Sequence, residues 1–146
     1  MVGGDSAGGG LTNSCLVLDK ELHHIHYAYE FYSGFVTTFA EYEKKYSDDL
    51  FPVIPEHEVY ARNRINRIRF SGNSGDFYIQ GKVSKTDPIV SIMSCEDLSW
   101  LPDMTIVCGE YDFLRLCNDD FVKRARSEGV NVKSVRYLGC DHGFME

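Results

Sequence analysis

The chain has 146 residues, enough for one modest domain with a core and too few to indicate two. Its composition is 43% hydrophobic and 25% charged, which is ordinary for a globular protein and excludes a disordered chain. Because 22 acidic residues outnumber 15 basic ones, the net charge of −7 argues against nucleic acid or an anionic membrane as the main partner.

The cysteines and the N-terminus bear on location. The five cysteines are widely spaced and contain no CxxC pair, which favours buried reduced thiols over a disulfide framework or a zinc site. The first residues carry neither the basic region nor the apolar run of a signal peptide, and no apolar run is long enough to span a bilayer. We therefore expect a cytoplasmic protein without a membrane span.

The first third of the chain predicts a turn, a helix and a strand. Residues 2–10 (VGGDSAGGG) are typical of a glycine-rich turn, and residues 25–32 are aromatic and tend to alternate, as strands do. Between them, apolar residues at helical spacing predict a helix of about four turns: Leu11, Cys15, Leu18 and Leu22.

The middle of the chain has a looser pattern. Residues 37–81 are rich in charge and interrupted by Pro52 and Pro55, which indicates an exposed, partly helical stretch. Within it, residues 56–70 predict a helix with arginines on a solvated face, and residues 71–76 predict a loop.

The last third predicts a strand, a helix and a strand. Residues 104–108 and 132–138 are the strands, and the helix between them is expected to be capped by Asn118 and stopped by Gly129. With about three strands in all, this order indicates an α/β fold with parallel strands.

The chemistry begins with the G-x-S-x-G pattern around Ser6. A serine on a sharp turn from a strand into a helix has its hydroxyl exposed, and the helix N-terminus behind it favours developing negative charge. Any glycine-rich loop with a serine matches this pattern, so a structural role is the alternative.

A serine hydroxyl needs a base, and the base needs an acid to orient it. Asp112 follows the first predicted strand of the last third, and His142 follows the second. Catalytic groups in parallel sheets lie at the carboxyl ends of the strands, and Ser–Asp–His is the chain order of α/β-hydrolases. A surface carboxylate and an ordinary loop histidine are the alternatives for each residue taken singly.

Other candidate sites are weaker. His23, His24 and His26 straddle a helix end with no carboxylate or cysteine at ligand spacing, so a metal site is not expected. The aromatic residues of 27–32 are interpreted as sheet core rather than as a stacking platform.

Taken together, several motifs resemble the hormone-sensitive-lipase-like branch of α/β-hydrolases, a family of carboxylesterases and lipases. They are GDSAGG (4–9), DP (87–88), LP (101–102), GEYDFLR (109–115) and HGF (142–144). The resemblance implies a three-layer α/β/α fold with a mostly parallel sheet and the hydrolysis of short- to medium-chain acyl esters without metal or cofactor. It makes Ser6 the nucleophile, His142 the general acid and base, Asp112 its orienting partner, and the Ala7 N–H an oxyanion donor.

Members of that branch also carry a His-Gly-Gly loop well upstream of the serine, which supplies further oxyanion donors. Only five residues precede Ser6, so we expect the C-terminal portion of a hydrolase, an incomplete sheet and weak or no activity alone. Residues 37–81 would be its variable cap. An exposed sheet edge favours self-association or a complementary N-terminal half as partner. The rival hypotheses are an inactive truncated product and a small-molecule-binding protein on the same fold.

Overall fold

The protein is described from a computed structural model, which covers residues 1–71 and 74–145. In that part of the chain four strands form one parallel sheet in the order β1-β2-β3-β4. Their bounds are Val2–Asp5 (β1), Tyr27–Phe31 (β2), Asp103–Gly109 (β3) and Val132–Tyr137 (β4). The predicted α/β fold with a parallel sheet is confirmed, whereas the predicted number of strands was one too low.

The missed strand is β1, which the sequence analysis assigned to a glycine-rich turn. Gly3 pairs with Tyr29 of β2, and a Cβ on Gly3 would lie 2.6 Å from the Tyr29 carbonyl oxygen. A Cβ on Gly4 would lie 2.4 Å from the carbonyl group of Gly8 in the following helix. The glycines therefore permit close packing of a strand rather than a turn, and the turn itself is confined to Ser6.

Five α-helices are present in the described residues: α1 (Ala7–Asp19), α2 (Ala40–Lys45), α3 (Glu58–Arg69), α4 (Ser74–Ile79) and α5 (Arg115–Ser127). The predicted helix after Ser6 is confirmed as α1, but its apolar stripe is not buried. Leu11 is 53% exposed and Leu18 is 71% exposed. The buried positions are instead Gly9, Thr12, Asn13 and Leu16.

The helix α5 begins four residues earlier than predicted, with Leu114 as its N-cap, so the assignment of Asn118 as its N-cap is wrong. Asn118 lies within the helix and is buried, and its Nδ2 donates to the carbonyl oxygens of Ser33 at 2.8 Å and Leu114 at 2.7 Å. The predicted stop is confirmed, since Gly129 follows the helix with φ +91, a left-handed conformation that favours glycine.

The predicted helix at residues 56–70 corresponds to α3, preceded by a 3-10 turn at Pro55–His57. Ile65 is fully buried, whereas Val59 is 78% exposed. The predicted loop at 71–76 is wrong from Ser74 onward, where α4 begins, and Gly72 and Asn73 lie outside the described residues.

The core lies between the sheet and the helices. It includes Ala28 of β2, Met104 and Ile106 of β3, Leu16 of α1 and Phe121 of α5. Alternation along β2 and β3 turns these strand residues toward the helices. The ring of Phe121 stacks on that of Phe35 at 4.0 Å.

All five cysteines are free, and Cys15 is exposed, contrary to the expectation of buried thiols throughout. Burial raises the pKa of Cys117 to about 12 and that of Cys108 to about 11, so both are neutral thiols at physiological pH. None of the helices described is long and apolar enough to cross a membrane.

Candidate active site

Ser6 is the single residue between β1 and α1. Its backbone has φ 48 and ψ −114, a conformation that costs a non-glycine residue on the order of 1–3 kcal/mol. Hydrogen bonds hold it there: the Ser6 N–H donates to the Phe31 carbonyl of β2 at 2.9 Å, and the Ser6 carbonyl accepts from Gly9 at 3.1 Å and Gly10 at 3.3 Å. The strained turn thus directs the hydroxyl away from both elements.

Asp112 and His142 lie past the carboxyl ends of β3 and β4. Asp112 is fully buried, and its Oδ1 accepts from the N–H of Leu114 at 2.8 Å. Its Oδ2 lies 2.9 Å from His142 Nδ1, and His142 Nε2 lies 2.8 Å from Ser6 Oγ. The structure therefore brings all three residues named from the sequence into one hydrogen-bonded chain.

These contacts indicate which nitrogen of His142 carries the proton. When Nδ1 donates to the Asp112 carboxylate, Nε2 is the unprotonated nitrogen and accepts the Ser6 O–H. The carboxylate also favours the imidazolium that forms if the serine proton is taken. This arrangement can activate a hydroxyl for nucleophilic attack.

Ala7 is the first residue of α1, so its N–H has no carbonyl partner within the helix. The partial positive charge of the helix N-terminus adds to that donor. The N–H that the sequence analysis expects to be an oxyanion donor thus lies at the start of the helix, directly after Ser6.

The sequence analysis did not identify Tyr32 as part of the site. It follows β2 directly with φ 38, and its side chain is only 1% exposed. Its ring centroid lies 4.9 Å from that of His142 and 5.4 Å from that of Phe144. Its position in the sequence could have indicated this place, because Tyr32 is the first residue past the carboxyl end of a strand, as Ser6 is.

The two carboxylates beside the proposed acid and base have other partners. Glu110 Oε2 accepts from the Gly139 N–H at 2.8 Å, and Asp141 pairs with Arg64 of α3. Tyr111 O–H also reaches toward the Pro52 carbonyl, at 3.3 Å. The Glu110 contact joins the two loops that carry Asp112 and His142, and the Arg64 and Pro52 contacts connect these loops to the 37–81 region.

A second group missed from the sequence is Glu30 of β2, which is completely buried. Desolvation raises the pKa of Glu30 to about 8, against smaller opposing effects of hydrogen bonds from Ser33 and Asn13. Asn13 Nδ2 donates to Glu30 Oε2 at 3.4 Å, while Glu30 Oε1 and Asn13 Oδ1 are buried without a partner among the described atoms. Glu30 is therefore mostly protonated at neutral pH.

Metal chemistry has no support among the residues described. No group of three His, Cys, Asp or Glu side chains in residues 1–71 and 74–145 is arranged to hold an ion. His23, with φ 53, and His24 lie in the turn after α1, where His24 faces Asp19 at 3.5 Å.

A parallel sheet whose strand ends present a serine on a strained strand-to-helix turn, an imidazole and a buried carboxylate defines an α/β hydrolase. The alpha/beta hydrolase fold family model matches residues 1–146, and the chain belongs to that family.

Several known proteins are similar to this chain over part of their own length. An arylesterase of Saccharolobus solfataricus is 35% identical over 68 residues, which cover 47% of this chain and 22% of that protein. Among solved structures, an arylesterase superimposes with a TM-score of 0.74 at 23% identity, over 98% of this chain and 44% of that one. Carboxyl esterase 2 of Tuber melanosporum gives a TM-score of 0.70 at 23% identity, over 97% and 44% of the two chains.

A hormone-sensitive lipase from a metagenome library gives a TM-score of 0.67 at 24% identity, over 97% of this chain and 45% of that one. This chain therefore spans less than half the length of these structures. At these identities the solved structures establish the fold.

Proposed function

We propose that this chain is the C-terminal portion of a hormone-sensitive-lipase-like serine carboxylesterase that cleaves short- to medium-chain acyl esters. The hydrogen-bonded chain from Ser6 Oγ through His142 to Asp112, with contacts of 2.8 and 2.9 Å, is the observation that carries the proposal. Family membership supports it, as do the esterase names of its relatives.

In this mechanism Ser6 Oγ attacks the ester carbonyl carbon while His142 Nε2 takes the hydroxyl proton. The carbonyl oxygen of the tetrahedral intermediate carries negative charge, and the Ala7 N–H donates to it. The intermediate expels the alcohol, which leaves with the proton from His142, and the acyl group stays on Ser6. Water, deprotonated by His142, then attacks the acyl carbon and releases the acid and the free serine.

We propose further that the chain alone is weakly active. Loss of one oxyanion donor costs on the order of 10²–10³ in turnover. Ala7 accounts for one donor, and more than half the length of the similar structures has no counterpart in this chain. An inactive product that keeps these motifs is the second candidate, and the same difference in length favours it.

A partner that covers the exposed surface is part of the proposal. The outward side of α1 carries Leu11 and Leu18, and β1 lies at one edge of the sheet, where β2 is its one partner among the described residues. Exposed apolar stripes and free strand edges favour association. A second copy of the chain or a complementary N-terminal half fits these features, and residues 37–81 would form the cap over the ester site. A cytoplasmic location stays a prediction.

The test is hydrolysis of 4-nitrophenyl butyrate by the purified chain, compared with Ser6→Ala. The matched control is Ser127→Ala, which removes an exposed hydroxyl at the end of α5 that donates to the Arg124 carbonyl. We expect turnover above background for the wild type and Ser127→Ala, and background alone for Ser6→Ala.

Weak turnover calls for a readout that does not need a complete oxyanion hole. A fluorophosphonate reports serine activation directly, because Ser6 Oγ bonds to phosphorus as fluoride leaves. Intact-mass analysis should show one adduct in the wild type and none in Ser6→Ala. An adduct without ester turnover favours the inactive product, and equal labelling of both proteins refutes the proposed role of Ser6.

A further inference from the structure

Tyr32 has a backbone that three strands hold in place. It follows Phe31, whose carbonyl accepts from Ser6, and its own N–H donates to the Val107 carbonyl of β3 at 2.6 Å. Its φ of 38 lies in the left-handed region, where a bulky aromatic residue is an outlier. Strained residues of this kind collect at functional sites and persist only where the surroundings hold them.

The backbone conformation of Tyr32 places its side chain against His142. Its ring is buried and lies 4.9 Å from the His142 ring, with an angle of 60° between the two planes. Phe144 packs edge-on against Tyr32 at 5.4 Å and lies 5.1 Å from Tyr137 of β4. Tyr32, the ring beside the histidine, thus belongs to an aromatic cluster with Phe144 and Tyr137 that connects the end of β2 to β4.

The loop that carries His142 needs such a contact. Gly139 has φ +73 and Gly143 has φ +80, so glycines in left-handed conformations lie on both sides of the histidine. Glycine is the residue with the greatest backbone freedom. The bonds to Ser6 and Asp112 fix the two ring nitrogens, so the imidazole can tilt about the line that joins them when the loop that carries its Cβ moves.

We propose that Tyr32 is a positioning residue, whose ring holds the His142 imidazole in the plane that bonds Ser6 and Asp112 together. This inference rests on the proposed function, because it assigns Tyr32 to the same ester-cleaving site. Tyr32 acts through His142 and takes no part in bond making. A misplacement of about 1 Å in such a site costs about 10²-fold in rate.

The kinetic test replaces the ring. Tyr32→Leu should lower kcat by about 10²-fold with little change in KM, because substrate binding does not depend on the imidazole plane. Tyr32→Phe keeps the ring and should recover most of the loss. The control is Tyr29→Leu on β2, the strand that Tyr32 follows. The Tyr29 ring contacts Phe31 at 4.9 Å, and its loss should leave kcat unchanged.

Leucine is unfavourable at positive φ, so Tyr32→Leu could lower kcat by destabilising the fold. A second variant distinguishes that effect from a misplaced His142 ring. Asparagine tolerates the left-handed conformation, and Tyr32→Asn therefore removes the ring while it relieves the backbone. Both variants are compared with wild type by circular dichroism before any assay. An equal loss of kcat in folded Tyr32→Asn and Tyr32→Leu supports positioning, and wild-type kcat in folded Tyr32→Asn overturns it.

A spectroscopic readout does not depend on turnover. The proton in the Nδ1–H···Asp112 hydrogen bond gives a low-field proton resonance, assigned by its absence in His142→Gln. We expect this resonance in wild type and Tyr32→Phe, and its loss through exchange in Tyr32→Asn. Its persistence in folded Tyr32→Asn refutes the inference even if esterase activity is present. Lack of Ser6-dependent turnover refutes the proposed function and leaves the resonance to decide the role of Tyr32.

Discussion

Glu30→Gln should stabilise the fold at alkaline pH and change it little at acidic pH. The native state holds Glu30 in a fully buried position with a pKa of about 8, raised from 4.5 by desolvation. An unfolded chain exposes the carboxyl to water and restores its ordinary pKa. Between those two values the native state binds more protons than the unfolded state, so the free energy of unfolding falls as pH rises.

The size of the effect follows from the same pKa values. One pKa unit corresponds to about 1.4 kcal/mol, so a rise from 4.5 to about 8 makes Glu30 cost the fold about 5 kcal/mol at high pH relative to low pH. The stability that Glu30 contributes is fully present below pH 4.5 and is lost as pH rises through 8. Glutamine has nearly the same shape and no charge, and its amide can donate to Asn13 Oδ1, which is unpartnered in the described structure.

The assay is urea unfolding at pH 5, 7 and 9 for wild type and Glu30→Gln, followed by circular dichroism. The difference in unfolding free energy should grow by several kcal/mol from pH 5 to pH 9, in favour of the variant. Glu96→Gln, at an exposed position, is the control and should give parallel curves. Parallel curves for Glu30→Gln itself would mean that the carboxyl is already hydrated in the native state, and the argument from desolvation would fail.

Two further predictions concern packing and are checked by the same urea unfolding. Asn118→Ala should cost about 1–3 kcal/mol, because it removes the buried hydrogen bonds from Asn118 Nδ2 to the Ser33 and Leu114 carbonyls. Asn131→Ala, an exposed change, should cost about 0.5 kcal/mol or less, and equal losses would contradict the assigned hydrogen bonds. Gly9→Ala should abolish or severely weaken folding, because its Cβ would lie 1.7 Å from Ser33 Oγ. Gly10→Ala meets its nearest atom at 3.9 Å and should stabilise α1 by up to about 1 kcal/mol, so a harmless Gly9→Ala would refute the packing of α1 on β2.

The positions of Ser6, Asp112 and His142 could be predicted because they depend on topology more than on packing. Each follows a strand, and the strands run parallel, so their carboxyl ends meet at one edge of the sheet. Strand order brings β1 and β4 to opposite edges with β2 and β3 between them, and the loop after β4 carries His142 back to Ser6. The order of strands and candidate residues along the chain was therefore sufficient to predict that the three side chains lie at one edge of the sheet.

The burial of α1 could not be predicted from periodicity. Its leucines form the apolar stripe, yet Gly9, Thr12 and Asn13 face the sheet. The helix lies so close to Ser33 that a Cβ on Gly9 would overlap it, so this face needs a residue without a side chain. Hydrophobic patterning indicates which face could be buried, but the close approach of α1 to β2 selects the face with small side chains. The same close contact buries Glu30 against Asn13, a pairing that no local pattern contains.

Ser6 and Tyr32 show why the site extends beyond the residues that motifs reveal. Both are non-glycine residues at positive φ, both follow neighbouring parallel strands, and the Ser6 N–H bonds the Phe31 carbonyl that precedes Tyr32. Ser6 lies in a glycine-rich motif that predicts a turn, whereas the sequence around Tyr32 is typical of an ordinary aromatic strand. A strained backbone at the end of one strand directs the hydroxyl, and a second at the end of the next directs the ring against His142. The orientation of the histidine therefore depends on β2 as much as on the loop that carries it.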